Sequence, residues 1–576
     1  MEDKNASASA QADRVAPQHI EMTRYSTSDV IDEVEVSKIS LKLLVLTTAI
    51  VGIYFVTIVN VVGSGFLAHQ IVAAVGGSDK VNWITLALGI NPIAFGPILA
   101  QAADLWGRKW PIVGGMLAGF AGCLIVARAN SIGVVILGQA IAGFNQSCQG
   151  LAHTIISEIL PRKYRPYAQA AIHIGGGIAA PVALYTGGAM CRHSASGFRN
   201  YWYFTAAQFL VIGCIITLFY KPPARELQLL GAKERLRRVD AIGSSLLIIS
   251  LLGFCIGLGW SQNPYDWKNA HILAPFITGI VGMIVLGIYW TIVKTDGLVH
   301  HGLFRGSRNF ALSILCITCE GVTFFAANNY FGFEVEFLFN RDLLLTGVTY
   351  SITWWTYMIA AVTAGVYSVR TRRLRAPIVA AFASFIIYFG LMASVTVSSG
   401  ANVWGYGVFL GIGFGVSINA LVVIAQLSTP PVLIASATCL MIACRGLGGT
   451  LGLAIYNAVF NGALKENIAP KISQAALSHG LPESSLGQLI AAISSQNQTA
   501  LGKVPGVTPE IIKASVLALK QAYTIGFRNA YITAAAFSFL GLCFSAFLKD
   551  PKDEFTAAVD APLFPSPVQV KILDTV

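Results

Sequence analysis

One short turn holds the densest set of reactive groups in this chain: Asp104-Leu105-Trp106-Gly107-Arg108-Lys109. Glycine lets the backbone reverse tightly, so an acid ending one apolar stretch faces two bases opening the next. Such a cluster can latch two helices and release them. Glu158, with Arg162 and Arg165, repeats the mixture further along and is assigned to the same gate. Two ionisable residues lie inside apolar stretches, where charge is expensive and function is the default reading. Glu320 is the candidate proton carrier. Arg445 could pair with an acid or with an anionic part of a substrate. His153 and His173 titrate near neutral pH. His173 is taken as a relay, although a lone helical His more often serves as a structural hydrogen-bonding group.

Amides and aromatics gather later in the chain. Asn328, Asn329, Trp354, Trp355, Asn419 and Gln426 could wall a cavity for a large amphipathic molecule, which needs aromatic sides and a few amides. Interfacial anchoring is the plainer role for any one Trp. Cys316-Ile317-Thr318-Cys319 has redox-like spacing but no second pair, so it reads as packing rather than zinc or redox chemistry. No metal site, cofactor, hydrolase constellation or nucleotide-binding loop is expected.

The elements that hold these residues follow from composition. Of 576 residues, 55% are hydrophobic and 12% charged, about half the usual charged quarter. Mean hydropathy is +0.64. A soluble protein this apolar could not cover its surface, which excludes a cytosolic enzyme, a disordered chain and a disulfide-built secreted domain. Nine of ten cysteines lie in apolar stretches. The net charge of +11 then reflects basic loops at a membrane rather than nucleic-acid binding. The polar first 40 residues give no sign of a cleaved signal peptide.

Fourteen segments have the roughly 17–25 apolar residues of a membrane helix: 43–63, 82–102, 111–128, 132–156, 166–188, 200–220, 240–260, 272–292, 309–330, 345–367, 377–396, 403–425, 435–458 and 526–547. One set of short loops carries eighteen Lys and Arg, the opposite set six. The positive-inside rule therefore predicts both termini in the cytoplasm. It also predicts an outer loop over 459–525, with short helices at Leu489 to Ile493 and Ile511 to Ala518 and a glycosylation sequon at Asn497. The tails, 1–40 and 549–576, read as mobile cytoplasmic segments.

The chain repeats itself. Gly107-Arg108-Lys109-Trp110-Pro111-Ile112-Val113 after span 2 is echoed by Arg372-Arg373-Leu374-Arg375-Ala376-Pro377-Ile378-Val379 after span 10. Duplication of this kind is a transporter signature. It divides the chain into a six-helix bundle over 41–220, a linker with two extra helices over 221–308, and a second six-helix bundle over 309–548.

The charged turn resembles the loop signature of the major facilitator superfamily, with Ala100 where that signature has an early glycine. The 6+2+6 pattern resembles its fourteen-helix drug:proton antiporter branch. Ser157-Glu158-Ile159-Leu160-Pro161-Arg162 and Gly197-Phe198-Arg199-Asn200-Tyr201-Trp202 are similar to the fungal trichothecene efflux pump and siderophore transporter group. So are Leu303-Phe304-Arg305 and Arg445-Gly446-Leu447-Gly448-Gly449-Thr450. The resemblance implies an all-helical fold working by alternating access. It also implies an arginine in span 4, associated with proton coupling. Here Gln139 occupies that place, before Gly143, and is assigned to the substrate cavity. Span 5, with Gly176, Gly177 and Pro181, resembles the branch's Gly/Pro-rich signature, a smooth face for helices that slide. Gly448 and Gly449 serve packing in span 13.

These readings converge on a monomeric, multi-pass plasma-membrane protein in contact with lipid, protons and an amphipathic small molecule. Efflux of a toxic metabolite or drug is the leading function. Siderophore-iron uptake and a non-transporting receptor are the alternatives.

Overall fold

The computed structural model describes residues 41–560 apart from 223–227, 229–230, 261–267, 295–296, 306, 340–341, 401–402, 495–500 and 503. Asn497 and the segments 1–40 and 561–576 lie outside the described residues. Contacts separate Met1–Leu44 from Val45–Val576, and every helix from Val45 onward belongs to the second unit.

The described residues are helical, without strands. Numbered to match the expected spans, the helices are α1 (Val45–Phe66), α2 (Trp83–Trp106), α3 (Lys109–Ala127), α4a (Ile132–Ser147) with α4b (Gln149–Glu158), α5 (Arg165–Cys191), α6 (Phe198–Phe219) and α7 (Ala241–Trp260). They continue with α8 (Ala270–Ile288), α9 (Arg308–Phe339), α10 (Leu343–Thr371), α11 (Arg375–Ala393), α12 (Val403–Leu427), α13 (Ile434–Ser478) and α14 (Pro509–Ala546). Among the described residues, twelve helices are long and apolar enough to cross a membrane. The other two expected positions are helical but differ. Span 4 is broken at Cys148, whose amide bonds to Asn145 O at 2.9 Å, a tighter turn that ends α4a. α10 has 29 residues, but its Thr, Tyr and Trp content makes it more polar.

α2, α3, α4a and α6 pack on one another, and α9 to α14 pack on one another. Two seams join these sets: α5 lies along α10, and α2 along α13. Small residues let the helices approach closely. On the α5–α10 seam a side chain at Gly177 would meet Met358 Cβ at 2.6 Å. Within the sets, one at Gly176 would run into the Tyr54 ring of α1, Gly448 lies against the Thr318 carbonyl of α9 and Gly449 against the Phe325 ring. Pro181 is buried within α5. α7 rests on α2 and α13, with α8 outside it. Leu86, Ile90 and Ile93 of α2 share a separate apolar cluster with Leu247, Leu251 and Phe254.

Two expectations are corrected. The segment 459–525 is largely helix rather than loop. α13 runs 45 residues, about 67 Å at 1.5 Å per residue, beyond the roughly 30 Å of a hydrocarbon core. α14 starts at Pro509, capped by Thr508, whose side chain accepts from the Ile511 amide. These extensions are held by their own apolar cluster, in which Ile472 and Ala476 meet Leu489, Ile493, Ile511 and Ala518.

Residues 549–560 are also not a free tail. Asn309 and Lys549 exchange two hydrogen bonds, of 2.8 and 2.9 Å. Asp550 Oδ1 accepts from the Leu374 and Arg375 amides at the start of α11, at 2.7 and 2.8 Å. Phe555 is buried. The acidic tail finds the basic turns that the inside rule concentrates on one face, here termed the basic face.

Candidate functional site

Helical periodicity assembles a central cluster from five helices. Tyr54 and Ile58 stand one turn apart on α1, Glu320 and Phe324 on α9, Trp354 and Tyr357 on α10, and Phe414 and Ile418 on α12; Arg445 comes from α13. Residues three or four apart share a helix face, so each of the four pairs turns toward one space. That space has room for about 10 Å³ of water, the threshold for a single molecule.

Glu320 is wholly buried. Arg445 Nε donates to its Oε2 at 2.5 Å, and Arg445 Nη2 to its Oε1 at 3.0 Å. This is the two-point geometry that suits guanidinium to carboxylate. The Arg445 guanidinium also lies 4.6 Å from the Phe324 ring centre, a cation–π contact. Both members of the pair come from the C-terminal set of helices. Across the seam, Tyr54 Oη is 3.3 Å from Tyr357 Oη, which is 2.6 Å from His173 Nδ1. The His173 ring centre is 5.6 Å from that of His153. His153 Nδ1 in turn meets Gln169 Oε1 at 2.6 Å, and Gln169 donates to Ser157 Oγ at 2.6 Å. These groups form a file in two hydrogen-bonded segments, Tyr54–Tyr357–His173 and His153–Gln169–Ser157, with the two imidazoles between them in ring contact but sharing no hydrogen bond.

The basic-face cluster is built differently. Gly107 ends α2 at φ +92°, a left-handed turn that favours glycine. Arg108 is thereby aimed at Glu158, to which it donates at 2.7 Å; both side chains are buried. Asp104 lies 4.0 Å from Arg108. It shares a 510 Å³ cavity with Val432, Leu433 and Ser436 at the start of α13, where a helix N-terminus favours negative charge. Lys109 donates to Thr217 O near the end of α6, at 2.7 Å. Thus Arg108 binds Glu158 and Lys109 binds Thr217 O within the N-terminal set, and Asp104 faces the start of α13 in the other set. The seam itself is crossed by Arg165, which donates to Gln426 O at 3.0 Å. Arg162 and Arg165 both pair with Asp560 of the tail.

The remaining expected cavity residues disperse. Trp354 lines the central space, but Trp355 is half-exposed and donates to Tyr185 Oη at 3.4 Å. Asn328 and Asn329 line a separate small cavity with His69, Phe333, Glu336 and Tyr350. Asn419 donates to Ala361 O at 3.1 Å, and Gln426 to Thr438 Oγ1 at 3.0 Å. Neither lines the central space. Gln139 is buried with no hydrogen-bond partner on either amide atom and also lies outside it. Composition groups these amides, and helical phase separates them. Reading for chemistry passed over Tyr54, Phe324, Phe414, Glu554 and Asp560. Only the one-turn spacing of Tyr54 and Ile58 signals the first, and every apolar pair in α1 shares that signal.

No cluster of three or more metal-ligating side chains occurs among the described residues. A helical membrane protein with two seamed helix sets and an ion pair at their centre has the architecture of a transporter. The Major Facilitator Superfamily model matches residues 44–453, and the chain belongs to that family. It is similar to the MFS-type transporter ucsD of Acremonium sp, with 24% identity over 431 residues, covering 71% of this chain and 70% of the relative. It is also similar to the trichothecene efflux pump TRI12 of Fusarium sporotrichioides, with 20% identity over 470 residues, covering 79% and 77%. Among solved structures, the human organic anion transporter MFSD10 (TETRAN) shares the fold at 12% identity. Its TM-score is 0.50, with 88% of this chain and 100% of that one covered. The chain is thus a multi-pass membrane protein of a secondary-transporter family whose relatives carry transporter and efflux-pump names.

Proposed function

We propose that this protein exports amphipathic toxic metabolites or drugs across the plasma membrane in exchange for protons. In this reading residues 41–220 and 309–548 are the two rocking bundles, 221–308 links them, and the basic face is cytoplasmic. The protein works as a monomer. The observation that carries the reading is the buried Glu320–Arg445 pair beside an aromatic cavity between the helix sets.

A proton on Glu320 removes the charge that holds Arg445. The guanidinium is then free to move, and the aromatic walls Phe324, Trp354 and Phe414 are left for an apolar guest. Proton and substrate thereby bias the same pocket, the reciprocal coupling that exchange requires. The pocket is closed in this structure, whereas drug-sized ligands need about 300–1,000 Å³. The bundles must therefore part before substrate enters. The file from Tyr54 through Tyr357, His173 and His153 gives the proton an exit toward the cytoplasm. Asp104, Arg108, Lys109 and Glu158 shape the inner turn on which the motion closes.

A growth screen of a deletion strain tests the function. Hypersensitivity to a toxin, with higher retention of it inside the cells, is the expected result. Normal resistance to all toxins together with loss of siderophore-bound iron would replace export with uptake.

A further inference from the structure

Residues 549–560 emerge from α14, in the C-terminal set, and end on a loop of the N-terminal set. Two antiparallel-style backbone bonds fix the register: the Arg162 amide donates to Ala558 O and the Lys163 amide to Thr556 O, both at 2.9 Å. Two side-chain clasps reinforce them. Arg162 Nη1 meets Glu554 at 3.0 Å, and Arg162 Nη2 meets Asp560 at 2.9 Å. Arg165 takes the other oxygen of Asp560. Arg165 is 1% exposed and the Asp560 side chain 6%, so this clasp is largely dry and little screened by salt. The far end of the segment is anchored in the other set by Asn309 and by Asp550 on the start of α11.

We infer that residues 549–560 form a strap across the cytoplasmic mouth and that Asp560 is a gate residue, holding the two bundles shut until its bonds to Arg162 and Arg165 break. The inference rests on the alternating-access reading above. Three ion pairs tie the strap to the N-terminal loop, Arg162 with Glu554 and both Arg162 and Arg165 with Asp560, and of the two carboxylates the Asp560 side chain is the buried one. Asp560 supplies the carboxylate that Arg165 otherwise lacks. Opening the mouth must pull this pair apart, so the strap sets how often the inner side opens.

Cys439 reports that opening. It is 1% exposed, and its Sγ would lie 2.7 Å from a Cβ placed on Gly150 of the opposite bundle. The full-length protein in nanodiscs is treated with N-ethylmaleimide, and modification of Cys439 is read by peptide mass spectrometry. Wild type is compared with Asp560→Asn, a chain ending at Asp553, and Asp553→Asn as a charge-matched control on an exposed neighbour. Asp560→Asn and the shortened chain are expected to label about five- to tenfold faster than wild type, and Asp553→Asn at the wild-type rate. Equal rates in all four overturn the strap. A second probe separates this from the underlying reading. Gly332 has room for a side chain, its nearest neighbour lying 3.9 Å from a Cβ there, and it borders the small cavity toward the opposite face. In Gly332→Cys backgrounds, releasing the strap should slow labelling at that position. Faster Cys439 labelling with unchanged labelling at position 332 keeps the strap and sinks alternating access.

Discussion

Two buried arginine–carboxylate pairs occupy different places relative to the seam. Glu320 and Arg445 sit on α9 and α13 of one helix set, facing the seam without crossing it. Arg165 and Asp560 join opposite sets. A pair inside one body travels with that body, so rocking leaves it intact and only a change of charge, such as a proton, can open it. A pair across the seam is broken by rocking itself. On the proposed mechanism, position relative to the seam, not burial, is what would separate a coupling site from a gate. Arg108–Glu158 sharpens the point. It carries the loop signature's arginine, and the pair itself lies within the N-terminal set.

The largest expected effect comes from breaking the pair that rocking spares. Glu320→Gln leaves Arg445 buried and uncompensated, a cost of about 3–5 kcal/mol. Transport driven by a pH gradient in vesicles should be lost; a retained gradient response removes Glu320 from the coupling role. Adding Arg445→Met should recover thermal stability without recovering the gradient response, because replacing both partners of a buried pair is close to neutral.

Next in size is the seam. Gly177→Leu drives a side chain into Met358, and such overpacking costs about 1–3 kcal/mol. Flux should fall markedly, with Gly177→Ala intermediate. Equal flux in glycine, alanine and leucine variants would mean that α5 and α10 do not move past each other.

Asp104→Asn should slow flux several-fold with unchanged abundance in the membrane, because α13 loses a charge near its N-terminus worth about 0.3–1 kcal/mol. Wild-type flux would show that the turn acts only through Arg108. Tyr357→Phe should have the smallest effect. It removes the hydroxyl shared by Tyr54 and His173, about 1 kcal/mol per hydrogen bond, and should alter the pH profile of transport more than its maximum. An unchanged profile breaks the proposed file of proton-carrying groups.

Much of this layout is legible in the order of residues. Apolar runs of membrane length place twelve spanning helices among the described residues; the other two expected positions are helical, but span 4 breaks at Cys148 and α10 is more polar. The glycine-centred turn locates Arg108, and the rarity of charge in such runs singles out Glu320 and Arg445 separately. The amides resist the same logic: Asn419 and Gln426 fit a cavity by composition, but their donors go to neighbouring helices. A buried amide satisfies whatever backbone or hydroxyl lies closest, and a linear pattern carries no record of that.

Sequence alone determined the helical membrane fold, because the bilayer tolerates few alternatives for long apolar segments. It also singled out the few charges placed inside apolar spans, because each is costly in that solvent. Tertiary structure decided the partners: Arg445 for Glu320, Tyr54 for Tyr357, and Asp560 for Arg165, the last separated by 395 positions along the chain. Pairing at that range depends on how helices cross and in what phase they face, and those quantities arise only when the whole bundle packs.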